Sequence, residues 1–187
     1  MPPKVKITKE DIINAGIEII RKEGEVSINA RSIASYLHGS TQPIFSNFSS
    51  MEELQNEIIM CAHKIYLSFL ESEAKSGKYP QYKAFGMAYI RFAKEEKELF
   101  KLLFMRDRTG EEGVYTEDFA ESVQMIMSAN GVSREIAERM HMELWVFVHG
   151  IATMLATSFL ALDWEQISAM TSDVYQGIRM QLVEDKA

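Results

Sequence analysis

Residues Ser40 to Phe48 read STQPIFSNF, a run rich in uncharged hydrogen-bonding side chains. Gln and Asn amides can donate and accept at once against an adenine edge, and a Thr methyl can touch a thymine methyl. Thr41, Gln42, Ser46 and Asn47 therefore carry the chemistry of base-edge reading. No acidic residue lies between Ile28 and Met51, so nothing there repels phosphate. Other reactive pairings are weaker. Cys61 and His63 stand at i, i+2 and point to different faces of a helix, a poor nucleophile–base pair. His141 and His149 are eight apart, not the four that would pair them on a metal. His149 on an apolar face reads as a hydrogen-bonded core histidine. With no Gly-rich phosphate loop either, neither metal nor cofactor is expected, and an enzyme is the less favoured class.

Display of those side chains requires helices, and the chain reads as all-α, with about nine of them. Thr8 with Asp11 caps a first helix that ends at Gly24. Ser27 is expected to cap a short second helix ending at His38-Gly39. Ser40 is expected to cap a third, very short one, with Pro43 tolerated in its first turn. On that third helix Ile44, Phe45 and Phe48 are expected to turn inward. Ser50 with Glu53 opens a long helix to about Ser76, broken by Gly77-Lys78-Tyr79-Pro80. Further helices are expected over Gln81–Lys94, Lys97–Met105 and Thr116–Ala129. Ser133 caps the most apolar one, reaching about Leu160, and Asp163 with Gln166 opens the last, to about Val183. The polar stretch from Asp107 to Gly113 reads as a loop. Two short helices across a Gly-containing turn are the helix-turn-helix arrangement, whose second helix fits a major groove. The same spacing also suits one more hairpin of a bundle.

The 187 residues carry a net charge of −7, which taken whole argues against a nucleic-acid binder. The charge is uneven, however. Residues 1–48 hold six basic against five acidic side chains, and the remainder 14 against 22. One cysteine excludes an intrachain disulfide and points to the reducing cytosol. The apolar stretch from Leu144 to Leu162 is interrupted by His149, Gly150 and Thr153, so it reads as a buried helix and not a membrane span.

Residues 8–58 resemble the DNA-binding domain of the tetracycline-repressor-like (TetR/AcrR) family. The likeness rests on Ile12–Glu23 closed by Gly24, SINARSIA at Ser27–Ala34, GSTQPIFSNF at Gly39–Phe48 and SMEEL at Ser50–Leu54. It implies a DNA-binding domain over 1–50 and a helical effector-binding and dimerisation domain over 51–187. It further implies a homodimer, joined through the last two helices, on a pseudo-palindromic operator, and release when a small molecule binds. The regulator would then be a repressor. By position, Thr41, Gln42 and Pro43 should approach bases. Ser27, Arg31, Ser40, Ser46 and Asn47 should approach bases or phosphates, and Lys4, Lys6 and Thr8 the backbone or a minor groove. Phe45 belongs to the same interface. Three residues depart from the pattern: Phe45 where Tyr is usual, Met51 where Lys is frequent, and His38 in place of Gly. They imply weaker phosphate anchoring and a shallower salt dependence.

The bulky apolar residues from Met60 to His149 read first as core. So many Met and aromatic side chains also suit a cavity for a small apolar or aromatic effector. Met60, Phe85, Phe92, Phe104, Phe119 and Trp145 would line it, with His63, Tyr89 and His149 as polar handles. The competing class is a helical interaction module or small-molecule-binding protein without DNA function.

Overall fold

The computed structural model describes residues 7–107 and 116–184, with side chains of 116–118 and 184 excepted. Lys4, Lys6 and most of the expected loop from Asp107 to Gly113 lie outside the described residues. Nine α-helices and no strand occur among them. They are α1 (Lys9–Glu23), α2 (Ala30–Tyr36), α3 (Gln42–Asn47), α4 (Met51–Ser76), α5 (Gln81–Glu95), α6 (Lys97–Phe104), α7 (Thr116–Asn130), α8 (Arg134–Ala156) and α9 (Trp164–Arg179). A 3-10 turn, Glu25–Ser27, precedes α2, and a π turn, Met180–Glu184, follows α9. The chain forms two compact units. One is Met1–Leu67 with Glu96–Arg106; the other is Ser68–Glu95 with Asp107–Ala187.

The first unit is built on α1, where Ile12, Ile17 and Ile20 repeat at helical spacing and are buried. Gly16 permits a close crossing with α4: a Cβ there would lie 2.4 Å from the Ile58 Cδ1. Lys9 Nζ donates to Glu57 at 2.7 Å and rides over the Phe48 ring. At the other end of α1, Arg21 grips Glu96 through two nitrogens at 2.9 and 2.6 Å and donates to Glu18 at 2.6 Å. Charge-assisted, two-pronged contacts of this kind fix orientation as well as distance. Through Glu96 they hold α6 against α1, with Leu99 and Phe100 fully buried.

The second unit centres on α5 and α8. Tyr82 pairs with His141 and Tyr89 with His149, so the two helices run side by side in the same direction. Val123, Ile126, Ala137, Met140 and Leu182 form a core shared by α7, α8 and the segment after α9. The buried Glu73 near the end of α4 accepts from Arg91 of α5 at 2.7 Å, and that guanidinium lies over Phe69. Lys83 of α5 donates to the Ser168 carbonyl and to the Ser168 and Ser172 hydroxyls of α9 at 2.7–2.9 Å.

Two sequence expectations about α8 are corrected. The helix stops at Ala156, not near Leu160, because Ser158 turns left-handed (φ 56°) and the Phe159 N–H closes back on the Met154 carbonyl. That closure satisfies carbonyls the helix end would leave open. The stretch from Leu144 to Leu162 is also only half buried. Leu144, Val148 and Leu155 face inward, whereas Val146 is 58 % and Phe159 82 % exposed.

Candidate nucleic-acid interface

The segment from Asn29 to Phe48 forms two short helices around a tight turn. Asn29, not Ser27, caps α2: its Oδ1 accepts from the N–H groups of Arg31 and Ser32, both at 3.0 Å. Ser27 instead lies in the 3-10 turn, donating its hydroxyl to the Glu23 carbonyl and accepting the Ser32 hydroxyl at its own carbonyl. The end of α2 is closed by paired bonds, His38 N–H to Ser35 and Gly39 N–H to Ala34, with His38 in the left-handed region at φ 53°. The start of α3 is likewise not capped by Ser40. Thr41 occupies the cap position without a side-chain bond, and Pro43 sits in the first turn.

Ile44 and Phe48, four residues apart, share the buried face of this segment, at 1 % and 2 % exposed. Phe45 lies about 100° round the helix from Ile44. It is 55 % exposed, against the inward placement expected from sequence. Gln42, Ser46 and Ser40 are exposed; Thr41, Pro43 and Asn47 are half-buried. Two of the polar groups are turned back on the helix itself. The Ser46 hydroxyl donates to the Gln42 carbonyl at 2.9 Å, and the Asn47 Nδ2 to the Pro43 carbonyl at 2.7 Å. On α2, Arg31 is exposed. Thr8 is exposed with its hydroxyl bound to Asp11 at 2.7 Å.

The residues expected to line an effector cavity fall in both units. In the first, Met60 is 50 % exposed, and the half-buried His63 and Phe104 rings lie 5.9 and 5.2 Å from Tyr66. In the second, Tyr89, Trp145 and His149 come together. The Tyr89 hydroxyl is 2.8 Å from His149 Nδ1, and Trp145 stacks on His149 at 5.0 Å. Phe92 is fully buried against Phe69, Phe119 meets the His141 ring edge at 4.9 Å, and Phe85 is half-buried. The second Tyr–His pair, Tyr82 with His141 at 2.9 Å, escaped the sequence reading. Its signal was the repeat itself, Tyr82 and Tyr89 seven apart against His141 and His149 eight apart.

Residues 82–172, from the start of α5 into α9, match the family model for the tetracyclin repressor-like C-terminal domain. The chain thus carries a TetR-like C-terminal domain over residues 82–172. Preceded by a helix-turn-helix arrangement, that match supports a transcriptional regulator of the TetR-like family. No curated protein matches the chain in sequence. Within the TetR-like domain, burial lowers the pKa of both His141 and His149, which favours the neutral imidazole. Burial, reinforced by Tyr175, pushes the Tyr82 hydroxyl well up. The Tyr82–His141 pair is thus a neutral hydrogen bond near pH 7. No helix among the described residues is long and apolar enough to cross a membrane.

Proposed function

We propose that this TetR-like protein is a cytosolic repressor that binds a pseudo-palindromic operator as a homodimer and releases it when a small molecule binds. The observation that carries this reading is the open side of α3. There an uncharged surface of Gln42, Phe45 and Ser46 stands clear of the core while Ile44 and Phe48 anchor the helix. A single helix fits the major groove, and its first turns meet base edges. Gln42 is the direct reader, because its exposed amide suits adenine. Arg31, Ser40, Thr41, Pro43 and Asn47 flank it, with Ser27 and Thr8 toward the backbone. Lys4 and Lys6 add phosphate contacts.

The last two helices join the protomers. Met142, Val146 and Met154 of α8 and Met170 of α9 remain 38–58 % exposed although their neighbours Leu144, Val148 and Ile167 are buried. A two-fold axis there sets two α3 helices about 34–36 Å apart, one turn of DNA. The effector is a small apolar or aromatic molecule taken up among the aromatic side chains of the C-terminal domain, with Tyr89 and His149 as polar handles. It acts by binding one dimer arrangement better than the other, since equal affinity shifts nothing. The long α4, whose residues belong to both compact units, carries the shift. The protein itself turns nothing over.

The test is binding of the purified full chain to the DNA upstream of its own gene. The expected result is a salt-sensitive complex that Gln42→Ala abolishes while leaving the helical content intact. Binding indifferent to Gln42→Ala, or none at all, would overturn the reading.

A further inference from the structure

We propose that Phe45 is a specificity-determining residue, covering the 5-methyl group of a thymine in the base pair next to the adenine read by Gln42. The inference rests on the DNA-reading function and deepens it, because it assigns the composition of two neighbouring positions in each half-site. Gln42 and Phe45 stand three apart on α3, so they share one face. Their separation along the helix, about 4.5 Å, is comparable with the rise of about 3.4 Å between base pairs.

Other groups on α3 are already engaged. The Ser46 hydroxyl donates to the Gln42 carbonyl and the Asn47 amide nitrogen to the Pro43 carbonyl. What α3 leaves open is chiefly one amide and one aromatic ring, the latter 55 % exposed. A phenyl ring has no hydroxyl to offer a phosphate. In the major groove of unmodified DNA, the apolar group it can cover is the thymine methyl. With no acidic residue between Ile28 and Met51 to repel the phosphates, the ring can approach the groove floor beside Gln42.

The experiment uses the full-length protein and a duplex selected from random DNA. Each thymine of the half-site is replaced in turn by deoxyuridine, which deletes the methyl and keeps the pairing. One position per half-site should then bind about four-fold more weakly, the factor carried by burial of one methyl-sized group. Phe45→Ala should bind the thymine and uracil duplexes equally at that position, and Phe45→Tyr should keep the discrimination. A selected duplex that tolerates uracil everywhere overturns the assignment while leaving DNA reading intact. So does Phe45→Ala weakening all duplexes by one common factor, which places the ring on the sugar-phosphate backbone. The uracil scan on the unaltered protein needs no variant to fold. Failure to select any duplex would remove the DNA-reading function, and this assignment with it.

Discussion

His38 holds a left-handed backbone conformation (φ 53°) that a β-carbon makes costly, at the turn between α2 and α3. The closing bonds of α2 require that conformation, so the strain is built into the helix-turn-helix. His38→Gly should raise stability by about 1 kcal/mol, read as a higher urea midpoint at unchanged slope. An unchanged or lower midpoint would show that the imidazole supports the turn. The sequence marked this spot, since His38-Gly39 stood where a helix had to stop. The family pattern, with Gly where His38 stands, carried the sign that this residue takes the glycine-like conformation. Phe45, by contrast, was misplaced. An aromatic between Ile44 and Phe48 looks like core, yet on so short a helix Ile44, with Phe48 just past its end, supplies the buried contact and Phe45 is left outside. The exposure of Gln42 was legible, because it lies off the face that Ile44 buries.

Helix starts were legible where the signal is local. Thr8 with Asp11 and Asp163 with Gln166 form the reciprocal caps their spacing implies. The start of α2 was misjudged by two residues, because Ser27 and Asn29 are both good caps and the 3-10 turn decides between them. Asn29→Ala should cost about 1 kcal/mol in the urea midpoint, whereas Ser27→Ala should cost less. The reverse order would contradict the assignment. The pairing of α5 with α8 could not be read from one sequence, since nothing local says which Tyr meets which His. It nevertheless has a pH signature. Both histidines have pKa values lowered below 6.5 by burial, so the unfolded chain takes up protons first as pH falls. Their contribution is therefore fully present at pH 7 and is lost as pH drops below about 6.5. The urea midpoint should fall between pH 7 and 5, and His141→Gln with His149→Gln should flatten that fall. An equal fall in the double variant would assign it to other groups.

At the scale of the whole molecule, the uneven charge makes sense if one end meets DNA. The net −7 conceals a slight basic excess over residues 1–48. The sequence marked α8 as the most apolar helix, but not which side of it remains open. Ala137, Met140, Leu144 and Val148 are used inside the unit, and Met142 and Val146 are left outside. Val146→Glu should accordingly shift the protein toward monomer in sedimentation at micromolar concentration and weaken operator binding. A stable dimer carrying this change would place the interface elsewhere. The central claim, that two copies of α3 read one duplex, is tested most directly by selecting bound sequences from random DNA with the full-length protein. The expected winner is a pseudo-palindrome with an A·T pair at the Gln42 position of each half-site and centres about one helical turn apart. Enrichment of a single unpaired half-site, or of nothing, would contradict it.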